Sequence, residues 1–117
     1  MWTLIRHTPF FMTFDYNTKK NLANIHDYGI SLDFTSKVFF DPNRCEIFDR
    51  NHSTYDPAYP DCSEDRYITI GYVSEIPVYV VYTVVGPDNY HLISAREATK
   101  SEVRQYYQQG KQYLRNA

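Results

Sequence analysis

At 117 residues and 13.9 kDa, the chain is long enough for one compact domain with a modest core and too short for two. Aromatic residues make up 17%, with 12 Tyr and 7 Phe, so large amphipathic rings are expected in the core and on the surface alike. A formal net charge of -2 and a pI near 6.0 exclude a generally basic nucleic-acid binder but leave room for a local basic patch.

In chain order, residues 10–14 are apolar apart from Thr13 and short enough to be a strand, preceded by an N-terminal extension. Asn17 then sits where a helix cap belongs. Leu22 and Ile25 fall three apart on one helical face, and Gly29 stands where a helix end often turns left-handed. A second helix is expected from Ser31, with Val38 and Phe39 as its last apolar pair before Asp41-Pro42, whose proline cannot continue it. Residues 43–65 carry aspartates and prolines with little apolar periodicity, which predicts a long loop with room for a short strand at 46–48.

Three β-branched and aromatic runs follow at 66–73, 77–85 and 90–96, separated by Ser74-Glu75 and Gly86-Pro87-Asp88-Asn89. They predict a three-stranded meander. In the last run Tyr90, Leu92 and Ser94 alternate with His91, Ile93 and Ala95, which strand spacing assigns to opposite faces. Thr99 and Glu102 then have capping-box spacing, and a final helix is expected over 100–115. Val103, Tyr106, Tyr107, Tyr113 and Leu114 form its packing stripe. Beside them Lys100, Arg104, Lys111 and Arg115 project within about 60° of one another, as either a solvated stripe or a phosphate-binding face.

The two cysteines, Cys45 and Cys62, have no CxxC spacing and fit a reducing compartment. The N-terminal dozen residues are interrupted by Arg6, His7 and Pro9, so neither a signal peptide nor a membrane span is expected, and the protein is expected to be cytoplasmic. Cys45, Asp49, His52, Asp61 and Cys62 share one loop without the paired spacing of zinc ligands, so no metal site is expected. Glycine-rich phosphate loops, hydrolase elbows and dinucleotide fingerprints are absent from the sequence.

Several pieces then line up along the chain. They are Phe14-Asp15-Tyr16, Asn24, Gly29-Ile30-Ser31 and Val38-Phe39-Phe40-Asp41-Pro42, then Glu64-Asp65-Arg66, Ile70-Gly71 and Val80-Val81-Tyr82-Thr83. The strongest is Ile93-Ser94-Ala95-Arg96-Glu97-Ala98-Thr99, followed by Glu102 and Tyr106. In this order and spacing, over most of the chain, they resemble the BrnT family of toxins from bacterial type II toxin–antitoxin systems. The resemblance implies a RelE-like ribonuclease fold and a metal-independent endoribonuclease without cofactor. It also implies a BrnA-like antitoxin that covers the toxin and binds operator DNA, so that any DNA contact of this chain is indirect.

The chain departs from the family pattern at the expected site. Members usually carry a Lys-His pair before the glycine that ends the first helix, where this chain has Asp27-Tyr28. Family arginines commonly follow the Tyr-Thr strand end and precede the Ile-Ser-Ala-Arg run, where this chain has Val85 nearby and His91.

Cleaving RNA without metal requires a base for the 2′-hydroxyl, cations for the phosphorane-like charge and an acid for the departing 5′-oxygen. Arg66 and Arg96 are the expected phosphate ligands, against a structural role in pairing with Glu64, Asp65 or Glu97. His91 is the expected proton-transfer group, with Tyr28 and His26 as further candidates beside the altered pair. Tyr82, Thr83 and Ser94 are expected either to orient phosphate or antitoxin groups or to satisfy sheet polarity, and Lys100 and Arg104 to touch substrate. Residues and resemblance together point to an α+β domain in which a small, mostly antiparallel sheet carries two N-terminal helices and one C-terminal helix. The alternative function is a catalytically degenerate protein of the same fold that only binds a partner protein.

Overall fold

The computed structural model describes residues 2–7, 10–49 and 65–116, with side chains over 12–49 and 65–109. Strands β1 Trp2–His7, β2 Phe10–Tyr16, β3 Cys45–Phe48, β4 Arg66–Val73, β5 Ile76–Val85 and β6 Asn89–Glu97 form one sheet in the order β1-β2-β6-β5-β4-β3. Every neighbouring pair is antiparallel except β2 and β6. Helices α1 Thr18–Tyr28 and α2 Leu32–Thr35 and a 3₁₀ segment, Ser36–Phe40, connect β2 to β3, and α3 Lys100–Asn116 follows β6. The expected α+β architecture and its meander are therefore present. The N-terminal extension contributes an edge strand, β1, that sequence alone did not distinguish, and the second helix tightens into 3₁₀ geometry before Asp41. Of the long loop, 50–64 lies outside the described residues, as do His52, Asp61 and Cys62.

One face of the sheet is closed by the connecting helices. Val78, Val80 and Tyr82 of β5 point to this side and pack with Phe14, Phe39 and Leu92, each worth roughly 1.5–3 kcal/mol when fully buried. On the opposite face Ile68, Ile70 and Cys45 pack under Tyr106 of α3, with Tyr79 and Val81 at the margin.

Two side chains finish the sheet where strands run out. β2 pairs with β6 only over residues 89–92, so the backbone beyond Leu92 has an open edge. Asn24 fills it: its Oδ1 accepts from the Ala95 N–H at 3.0 Å, and its Nδ2 donates to the carbonyls of Ala95 at 2.8 Å and Ile30 at 2.9 Å. A buried amide with three partners satisfies backbone groups that would otherwise cost about 1–3 kcal/mol each. Asn21 likewise accepts from the Leu32 N–H. The asparagine face of α1 therefore turns inward, and Leu22 and Ile25 remain exposed. Caps behave as their residues suggest: Asn17 accepts from the N–H of Lys19 and Lys20, and Gly29 ends the helix at φ 72°.

At the other edge, β3 pairs with β4 as far as Ile70, and Asp41 takes over beyond it. Its Oδ2 accepts from the Tyr72 N–H and from the Tyr106 hydroxyl, both at 2.9 Å, while Oδ1 accepts from the Asn43 N–H. Gly71 permits this approach, since a Cβ there would lie 2.9 Å from Val38 Cγ2.

Candidate functional site

Simple alternation places His91 and Ser94 on opposite faces of β6, but the strand contains a β-bulge. Ser94 lies opposite Val81 and Leu92 opposite Tyr82, which leaves Ile93 as the extra residue. One inserted residue inverts the side-chain phase. His91, Ser94 and Arg96 consequently share the face that carries α3, while Tyr90, Leu92 and Ala95 face the main core.

Across this face a polar row runs through four strands. Asp15 lies beside His91, His91 opposite Thr83, and Thr83 opposite Arg66. With strands about 4.8 Å apart, the backbones of His91 and Arg66 are roughly 10 Å from one another. The Asp15 carboxylate is in direct contact with His91 Nδ1. In the tautomer where Nδ1 donates to Asp15, the second ring nitrogen is left as an acceptor. The His91 side chain is 33% exposed, whereas Asp15 is half that. Thr83, in contrast, is buried, and its hydroxyl donates to the Asp65 carbonyl at 2.8 Å. Its burial removes it from direct contact with a ligand in this conformation.

Arg96 lies about 13 Å further along the strand at 3.3 Å per residue, counted on the β5 partners Thr83 and Tyr79. Nη1 and Nη2 donate to the two carboxylate oxygens of Glu102 at 2.8 and 2.9 Å, and the guanidinium lies 4.0 Å from the centroid of the Tyr79 ring. Glu102 also closes the capping box of α3 with Thr99. Its Oε1 accepts from the Thr99 N–H at 2.8 Å, and its own N–H donates to Thr99 Oγ1 at 3.2 Å. The hydrogen bonds from Arg96 hold the Glu102 carboxyl below the usual range, and Glu102 raises the Arg96 guanidinium in return. The expected capping box is thus joined to β6 by a two-pronged ion pair.

The other sequence candidates divide by position. Tyr82 points into the main core against Phe39, Tyr67 and Tyr90, where burial pushes its hydroxyl up to about 12. The expectation that it orients substrate is corrected by the direction of its strand face. Tyr28, exposed at the end of α1, lies within the electrostatic reach of Arg96. Neighbouring His26 contacts Asp27 at 3.1 Å on the surface. Lys100 and Arg104 are exposed on the first turns of α3. Ser94 is half-buried opposite Val81, between the polar row and the Arg96 pair. Tyr107, assigned by periodicity to the packing stripe, is exposed.

Cys45 is a buried thiol raised by burial and by Glu46, and among the described residues no three His, Cys, Asp or Glu side chains gather as metal ligands. Sequence reasoning missed Asp15, because its link to His91 depends on a parallel pairing between segments 76 residues apart. Glu102 was found as a cap but not as the partner of Arg96; their separation across a strand-to-helix turn gives no periodic signal.

A family model described as the ribonuclease toxin, BrnT, of type II toxin–antitoxin systems matches residues 16–102. Among solved structures, the chain is similar to the Brucella abortus ribonuclease toxin BrnT, with 20% identity and a TM-score of 0.50. That likeness covers 74% of this chain and 96% of the other and supports the shared fold. No curated protein matches the chain.

Proposed function

Because the chain belongs to the BrnT family of ribonuclease toxins of type II toxin–antitoxin systems, we propose that it cleaves RNA without a metal ion and is neutralised by a BrnA-like antitoxin in the cytoplasm. The observation that carries this reading is the Asp15–His91 contact at the accessible end of a row that also holds Arg66. A base held in orientation by a third group is the arrangement that proton transfer at a hydroxyl requires.

In this reading His91 takes the proton of a ribose 2′-hydroxyl. The 2′-oxygen then bonds to phosphorus, the bond to the 5′-oxygen breaks, and the leaving oxygen is protonated from solvent. Arg66, two strands away, supplies the planar positive charge that matches phosphate oxygens, and Ser94 offers a hydroxyl beside them. Arg96 keeps Glu102 as its partner, so we assign it chiefly to holding the strand-to-helix junction, with the Tyr79 ring against its guanidinium. No helix among the described residues is long and apolar enough to cross a membrane, which accords with action in solution.

The purified protein is expected to cleave single-stranded RNA in the presence of EDTA, and His91→Ala is expected to lower the rate by about 10²–10⁴-fold while retaining the fold by circular dichroism. Undiminished cleavage by His91→Ala would remove His91 from the chemistry. Failure of the folded wild-type protein to cleave RNA or to arrest bacterial growth would favour the partner-binding protein of the same fold.

A further inference from the structure

Charge is distributed unevenly along this acidic chain. Helix α3 carries Lys100, Arg104, Lys111 and Arg115 against the single acidic residue Glu102, which is already tied to Arg96. At 100° per residue Tyr107 falls about 20° to one side of Lys100 and Arg104 about 40° to the other, so an exposed ring shares one helical face with two cations. Its exposure is 54%, yet it is held in place. The ring meets Tyr106 edge-on at 5.1 Å, and the hydroxyl donates to the Tyr72 hydroxyl at 3.2 Å.

Tyr72 and Tyr106 also line a cavity of about 590 Å³ together with Lys37, Phe40, Asp41 and Ser74, a size in the range of small-molecule sites. Phe40 is 40% exposed at its margin. The Asp41 carboxylate accepts three protein hydrogen bonds, so it is occupied mainly by the fold, and its remaining acceptor capacity suits an exocyclic amine rather than a phosphate. Pre-positioned aromatic faces flanked by lysine and arginine are what a single strand requires, because every base has a π-face and every linkage a negative charge.

We propose that the tyrosine cluster formed by Tyr72, Tyr106 and Tyr107, with its cavity, is a base-stacking site for single-stranded RNA, the adjoining phosphates lying along Lys100 and Arg104. Tyr107 stands about 8 Å along the helix axis from Glu102, so the site lies beyond the Arg96 junction and apart from the His91 row. The inference rests on RNA being the substrate, and it concerns binding and not cleavage.

The test uses the full chain and a fluorescent 2′-O-methyl oligoribonucleotide, which binds but cannot be cut, beside an abasic oligonucleotide of equal length. Tyr107→Ala is expected to weaken binding of the base-bearing probe about 5- to 100-fold, the range of one lost base–aromatic stack, whereas Tyr107→Phe binds like the wild type. The abasic probe is expected to bind weakly to all three proteins. Equal binding of both probes by the wild-type protein, or an unchanged affinity in folded Tyr107→Ala, overturns the site. So does a Tyr107→Ala defect confined to binding of a partner protein. RNA cleavage with no Tyr107 effect would reject this site alone; Tyr107-dependent binding without any cleavage would reject the ribonuclease reading and keep the site.

Discussion

The two ends of one sheet face carry similar residues in opposite situations. At the α3 end, Arg96 is locked onto a glutamate that itself caps a helix, with an aromatic ring beneath the guanidinium. At the β2 end, His91 has a single orienting carboxylate and a side chain one third exposed. Satisfied donors hold a fold together, whereas a partly satisfied and oriented group is poised to exchange a proton. The strand-to-helix junction lies at the locked end, and the proton-transfer candidate lies at the other, beside Asp15.

That contrast is broken most forcefully at Asp15. Asp15→Asn removes the negative partner of His91 and permits a different ring orientation, which is expected to lower kcat on the order of 10²-fold with little change in KM. Asp15→Glu is expected to recover part of the loss. An unchanged kcat in Asp15→Asn would reduce Asp15 to a sheet residue.

At the locked end the expected effects fall on stability. Arg96→Ala strands a half-buried carboxylate, and Glu102→Ala strands the guanidinium and removes half the capping box. Each is expected to cost about 1–3 kcal/mol in denaturant unfolding. Cleavage per folded molecule should fall less than about tenfold in both, far below the His91 effect. A loss of cleavage in Arg96→Ala that greatly exceeds the loss in Glu102→Ala would return Arg96 to the phosphate.

Local chemistry was well recorded in the residues. Asn17, Gly29 and the Thr99/Glu102 box each act within one or two turns of chain, and all behave as their types and spacing imply. What stayed hidden depends on strands ending unequally. β2 stops at Leu92 on its partner, so Asn24 must turn inward to complete β6, and Leu22 and Ile25 lose the inward face. The bulge at Ile93 is equally invisible to periodicity, and it alone brings His91, Ser94 and Arg96 to one side. Arg66, His91 and Ser94 could therefore be named as candidates from the sequence, but their common face and the contact of Asp15 with His91 could not, and neither could the burial of Tyr82 and Thr83.

The smallest expected effect is in the pH dependence of the locked end. Glu102 has its folded-state pKa lowered below the ordinary 4.5, first by the hydrogen bonds from Arg96. Between that ordinary value and the depressed one, the unfolded chain binds a proton that the folded chain does not, so stability must fall as the solution is acidified through this window. Above the ordinary value the contribution is present in full. Melting temperatures of the wild type and Glu102→Gln should therefore lie a constant distance apart near neutral pH and converge below about pH 4.5, as the wild type loses what the variant never had. Parallel curves through that range would mean that the Arg96 pair adds nothing specific to the charged carboxylate, and the two ends of the face would then differ in access alone.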